Sequence, residues 1–187
     1  DAHHGGGANA FQRGGVVTNW GTQDFAIYVV ASWTNETVYT PEYSGYGLLV
    51  CKPAAHAPYT GPCLLAGYPS TATAASSCFG AQVDTEHYVL STEAGFNDGI
   101  LRLYSALRRG GSTLELRVDG RSIAAAPIPS DFDVSSPNNP VRIGGQGNRD
   151  QALRGVIGEI VMIRGESAEQ DLQALEAYFV DLYGLGR

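Results

Sequence analysis

The chain is predicted to fold as an all-β, antiparallel two-sheet sandwich closed by one C-terminal helix. Three observations predict it. Short apolar runs alternate with a period of two, glycine-rich turns separate them, and a single segment near the end switches to helical spacing. One domain spanning residues 1–187 suffices for this length, with residues 1–15 as a loose entry.

Phe25-Ala-Ile-Tyr-Val-Val-Ala-Ser-Trp33 is the clearest strand. Phe25, Ile27, Val29, Ala31 and Trp33 share one face, and the other face is only half polar, as in a central strand. Trp20 and Trp33 are expected in the core. Residues 34–46 read as a tyrosine-rich loop, 47–52 as a strand, 53–62 as a loop and 63–66 as a short strand. After a small-residue loop at 69–77, residues 78–84 and 87–92 follow as strands. Asn97-Asp98-Gly99 marks a turn.

The best hairpin runs from Ile100 to Arg109, turns at Gly110-Gly111, and returns from Ser112 to Asp119. Leu114, Leu116 and Val118 are expected inside, and Glu115, Arg117 and Asp119 outside. Asp119-Gly120 turns into a strand at 121–126. A polar loop at 127–140 and strands at 141–145 and 155–164 complete the sheets. The last strand is apolar on both faces, Val156, Ile160 and Met162 against Ile157, Val161 and Ile163, so it needs a cover. The helix supplies it. Ser167-Ala-Glu-Gln170 reads as a capping box, Leu172, Leu175, Phe179 and Leu182 as its apolar stripe, and Gly184 as its terminator.

Composition excludes several functions. A net charge of −7, with one lysine (Lys52) and no basic run, does not suit nucleic acid. No segment is apolar enough to insert into a membrane as a helix. The chain opens at Asp1 without a signal peptide and reads as an excised domain or mature fragment. Cys51, Cys63 and Cys78 fit no zinc spacing. A disulfide plus a free thiol, either Cys51–Cys63 or Cys63–Cys78, stands beside three reduced, buried thiols.

Catalysis is not expected. Glu115-Leu-Arg-Val-Asp119 approaches a glycosidase triad of acids, but Arg117 fills the middle position and a surface salt-bridge ladder explains it better. No nucleophile elbow, Cys-His pair or phosphate loop is present. Exposed aromatics that stack on sugars, beside polar groups, are the alternative chemistry. Tyr39, Tyr43, Tyr46 and Tyr59, with Asn35 and Glu42, are the candidate ligand-binding residues. Hard oxygen ligands suit calcium, and the candidates are Asn97 and Asp98, or Asp131 and Asp133 with Asn138.

Three segments carry a resemblance. They are Asp24 to Ala31, the hairpin Leu107 to Gly120 with its L-x-L-x-V-D-G return, and Val141-Arg-Ile-Gly-Gly145 followed by Gly158-Glu-Ile160 and the tail Leu175-Glu-Ala-Tyr-Phe-Val-Asp-Leu-Tyr-Gly-Leu185. Together they resemble the bacterial laminin-G-like jelly-roll domains of the concanavalin-A-like lectin/glucanase superfamily. The family's usual extended first strand is absent or cut off before Asp1. The resemblance implies a jelly roll of two curved sheets in a secreted or surface bacterial protein. It implies a glycan or cell-surface ligand, and calcium at a loop rim in many members. A structural or protein-binding module of a surface appendage, self-associating within a larger adhesin, is the alternative. A glycoside hydrolase ranks last.

Overall fold

The computed structural model describes residues 19–34, 47–52, 60–66, 79–136, 139–145 and 153–186. The strands are β1 (Phe25–Trp33), β2 (Gly47–Cys51), β3 (Cys63–Ala66), β4 (Phe79–Gln82), β5 (Tyr88–Leu90), β6 (Arg102–Arg109), β7 (Thr113–Val118), β8 (Arg121–Pro127), β9 (Arg142–Ile143) and β10 (Gly155–Arg164). The helix is α1 (Glu169–Tyr183). One sheet has the order β10-β1-β6-β7-β8, the other β5-β4-β3-β2-β9. Every strand pair is antiparallel. The two-sheet antiparallel sandwich with one C-terminal helix is therefore the observed fold.

Two apolar layers explain its stability. Phe25, Ile27, Val29, Ala31 and Trp33 of β1 enter the layer between the sheets, with Trp20, Leu49, Leu64, Phe96, Tyr104, Leu114 and Leu116. Ala26, Tyr28 and Val30, on the opposite face of β1, join Leu103, Leu107, Leu172, Phe179 and Leu185 beneath α1. β1 is thus buried on both faces, as a central strand with a helical cover must be. Each large side chain removed from water contributes roughly 1.5–3 kcal/mol.

Glycine-bearing turns set the hairpin registers. Gly110 and Gly111 have φ of 55° and 67°, left-handed values that match the twist of a tight hairpin. Their N–H groups donate to the Asp24 carboxylate at 2.9 and 2.7 Å, which locks the turn to the start of β1. Asp119 (φ 48°) and Gly120 (φ 78°) turn β7 into β8.

Four expectations need correction. The parity of β10 changes at a bulge: Val30 pairs with Glu159 but Ala31 with Ile157, leaving Gly158 as the extra residue. Ile157 therefore joins Ile160 and Met162 on the sandwich side, and Val156 is 60% exposed. The capping box does not form. The N-cap is Ala168, with no side-chain cap, because Glu169 is drawn onto Arg109 and Arg117 of the sheet. Those charge-assisted bonds outweigh a neutral cap. Leu182 leaves the apolar stripe and is exposed, while Tyr183 packs in its place. At 100° per residue, position 183 lies over Leu172 and position 182 does not. Gly184, with φ 62°, ends the helix as expected.

The fourth correction concerns the face of β7 opposite the sandwich. Arg117 is not in a surface ladder but buried beneath α1. It donates to Glu115, to Glu169 at 2.9 and 3.1 Å, and to Glu176 at 3.3 Å. Asp119 is half-buried rather than exposed.

The lone lysine is also buried. Lys52 Nζ donates to the carbonyls of Ser136 and Asn139, and Ser136 Oγ donates back to the Lys52 carbonyl at 2.7 Å. Burial lowers its pKa. This clasp fastens the end of β2 to the connection that leads into β9. Beside it, Cys51 and Cys63 are paired directly in register and form a disulfide.

Candidate functional site

An open cleft of about 430 Å³ lies at one end of the sandwich. The β7–β8 turn forms one wall, through Val118, Asp119 and Arg121. The connection from β5 to β6 forms the other, through Glu93, Ala94, Gly95 and Phe96, with Arg102 of β6 between them. The volume falls within the roughly 300–1,000 Å³ of small-ligand sites.

The cleft's rigid floor comes from the core. Phe96 is buried between the sheets and meets Tyr104 edge-on at 6.0 Å between centroids. The Arg102 guanidinium lies 5.7 Å from the Phe96 ring centre. Asp98 fixes that guanidinium from behind. Its two oxygens accept from Nη1 and Nη2 of Arg102, both at 2.7 Å, and Oδ1 also accepts the Ile100 N–H at 2.9 Å. The hydrogen bonds from Arg102 hold the Asp98 carboxyl at about 2, well below its ordinary value.

A second acid–base pair bridges the two walls. Arg121 Nη2 donates to both oxygens of Glu93 at 2.8 Å, with both side chains exposed. Asp119 accepts the Leu103 N–H through Oδ1 at 2.8 Å, and its own N–H donates to the Leu103 carbonyl at 2.9 Å. The carboxylate thus belongs to the turn through one oxygen. Burial raises its pKa, against the pull of the Leu103 N–H and of Arg102.

Of the sequence-based candidates, Asn35, Tyr39, Glu42, Tyr43, Tyr46 and Tyr59 lie outside the described residues, as do Asn138 and Cys78. Thr34, at the end of β1, bridges to Asp98, while Gly99 N–H donates to the Trp33 carbonyl. Asp98 is bound to Arg102, so a cation there competes with a guanidinium. Asp133 accepts the Ser135 N–H at 2.8 Å, and Asp131 is exposed. Their loop is held by Arg108, which donates to the carbonyls of Gly111, Pro129, Ser130 and Phe132. Among the described residues, no three His, Cys, Asp or Glu side chains converge as a metal site. Nor is any helix of these residues long and apolar enough to cross a membrane.

Sequence reasoning missed the cleft itself. Phe96 and Arg102 flank the recognised Asn97-Asp98-Gly99 turn, but Asp119 and Arg121 are brought to them only by the β6–β7 hairpin. Glu93 and Arg121, 28 positions apart, leave no local signal.

No protein-family model matches the chain, and no curated protein matches it. Solved structures do. The chain is similar to the binding domain of Paraclostridial mosquitocidal protein 1, at 12% identity and a TM-score of 0.63, over 91% of this chain and 41% of that one. It is similar to the receptor-binding domain of botulinum neurotoxin D, at 7% identity and a TM-score of 0.60, over 90% of this chain and 40% of that one. It is also similar to the CBM40 of Ruminococcus gnavus IT-sialidase, solved with α2,3-sialyllactose, at 12% identity and a TM-score of 0.57. That match covers 89% of this chain and 98% of the CBM40. The chain therefore spans about two fifths of the toxin domains and nearly the whole CBM40, and it shares with all three a β-sandwich fold.

Proposed function

We propose that this chain is a non-catalytic carbohydrate-binding module, of laminin-G-like type, in a secreted or surface-exposed bacterial protein. The observation that carries the reading is an open cleft, with both hydrogen-bond donors and acceptors, at the loop end of a rigid sandwich. The shared fold supports it, since the CBM40 it resembles along nearly its full length was solved with a sialylated sugar. The acids of the cleft are engaged in other pairings, Glu93 with Arg121 and Asp119 with the Leu103 N–H, which speaks against a glycosidase pair, and Glu115 lies in the Arg117 network under α1. The tyrosine-rich segment with Asn35, Tyr39, Glu42, Tyr43 and Tyr46, and Tyr59 beyond it, is proposed to add stacking surface. Calcium, if bound, is proposed at Asp131 and Asp133 with Asn138, and a melting temperature that chelator leaves unchanged would remove it.

A glycan array tests the main reading: selective retention of some sugars is expected, and flat binding to all of them would end it. A second reading, a protein-binding or self-associating module of a larger adhesin, draws on exposed Tyr178 and Leu182, one turn apart on the outer face of α1. Concentration-dependent association, weakened by Tyr178→Ala with Leu182→Ala, would favour it.

A further inference from the structure

We infer that the Phe96–Arg102–Asp119–Arg121 cleft is a sugar site that selects uncharged sugars over acidic ones. This rests on the carbohydrate-binding reading and deepens it.

The charges of the cleft compensate one another. Its lining holds two guanidiniums, Arg102 and Arg121, and two carboxylates, Glu93 and Asp119, with Asp98 behind Arg102. An incoming carboxylate or sulfate would meet two arginines whose charge Asp98 and Glu93 already neutralise, and it would face the Asp119 carboxylate beside them. Like charges set opposite one another in this way are a device for rejecting ligands. A hydroxyl pair meets no such obstacle, because each hydroxyl both donates and accepts.

The unused hydrogen-bonding groups fit that ligand. Among the described residues, Arg121 binds Glu93 through Nη2 alone, leaving Nε and Nη1 as donors. Asp119 uses Oδ1 for the Leu103 N–H, leaving Oδ2 as an acceptor. One fixed acceptor on the two-residue turn and, just after it, separate guanidinium donors on Arg121 suit the hydroxyls of a pyranose, which both accept and donate. An anionic group only accepts and has no use for Oδ2. The rim leaves room for a ring. Gly95, at φ 96°, has no atom within 4 Å of the position a Cβ would take.

The experiment titrates the intact chain with lactose, cellobiose and mannobiose against α2,3-sialyllactose and digalacturonic acid, alongside Asp119→Asn and Arg121→Ala. Asparagine keeps an oxygen for Leu103 and tolerates the left-handed turn, and Arg121 is exposed, so both variants should melt close to the parent. The expected result is that an uncharged disaccharide binds more tightly than either acidic one and loses about tenfold in affinity in each variant, the scale of a hydrogen bond to a charged group. Tighter binding of an acidic sugar, lost in Arg121→Ala, would overturn the selectivity. Sugar binding that neither variant alters would overturn the site and leave the carbohydrate reading standing. Failure of every sugar on the array would remove that reading itself, and this inference with it.

Discussion

Arg117 of β7 and Glu176 of α1 meet at 3.3 Å beneath the helix, each only 5% exposed. The arginine also holds Glu115 and Glu169, so one cation organises three carboxylates where the helix crosses the sheet. Removing it leaves Glu176 buried without its cation and beside Glu115 and Glu169. Arg117→Met is therefore expected to destabilise the fold by about 3–5 kcal/mol, the usual cost of breaking a buried pair. Urea unfolding followed by circular dichroism measures this, and a loss below about 1 kcal/mol would contradict it.

The same network sets opposite responses to pH. Hydrogen bonds from Arg117 and Arg109 hold Glu169 at about 2, against an ordinary 4.5. The folded state binds fewer protons there, so this contribution is complete above pH 4.5 and is lost as pH falls toward 2. Glu176 is shifted upward by burial, with Glu169 and Glu115 adding repulsion against the pull of Arg117. Its ionisation costs stability as pH rises from 4.5 through its raised value. Urea midpoints between pH 2 and 5 should fall less steeply on acidification in Glu169→Gln than in the parent.

The Cys51–Cys63 bond closes a short loop, with a sequence separation of 12. A cross-link of that span stabilises by about 3 kcal/mol, chiefly by restricting the unfolded chain. Cys51→Ser with Cys63→Ser should lower stability by that order, and non-reducing peptide mapping should recover this linkage. Recovery of Cys63 joined to Cys78 instead would overturn the pairing.

Gly155 begins β10 where a Cβ would lie 1.9 Å from the Ser32 carbonyl oxygen. The obstruction is backbone, and no rotamer relieves it. Gly155→Ala is expected to cost about 2 kcal/mol or more, in the upper range for single substitutions. Thermal melts of Gly155→Ala against Gly165→Ala test the origin of the loss. Gly165, at φ 94°, is strained by a side chain but meets no atom within 4 Å. Equal losses would point to backbone conformation rather than collision.

The sheets were legible because their physics is local. Alternation placed Phe25 through Trp33 correctly, and Gly110-Gly111 announced its hairpin. Helical spacing likewise found Leu172 and Phe179. The errors arose where distant residues intervened. Ser167 is a reasonable cap in isolation, but Glu169 answers to arginines on β6 and β7. The parity of β10 depends on a bulge that only its pairing with β1 reveals. Arg117 looks like a surface residue until α1 is laid over it. The cleft was hidden for the same reason, since its polar groups come from two walls and none of its pairs repeats at a recognisable interval. The tyrosine-based site remains a matter of sequence, because its residues lie outside those described.

The pairing of Phe25 with Arg164 also fixes an order of events during synthesis. One hydrogen-bonded side of β1 has to wait until Gly155–Arg164 has left the ribosome. Its other neighbour, the strand beginning at Arg102, arrives far earlier. A growing chain therefore carries a half-finished sheet with an open edge, and such edges invite mispairing with other copies. Late docking of the last strand, followed at once by the helix, is thus the step at which a chaperone or a slow rate of translation would most improve the yield.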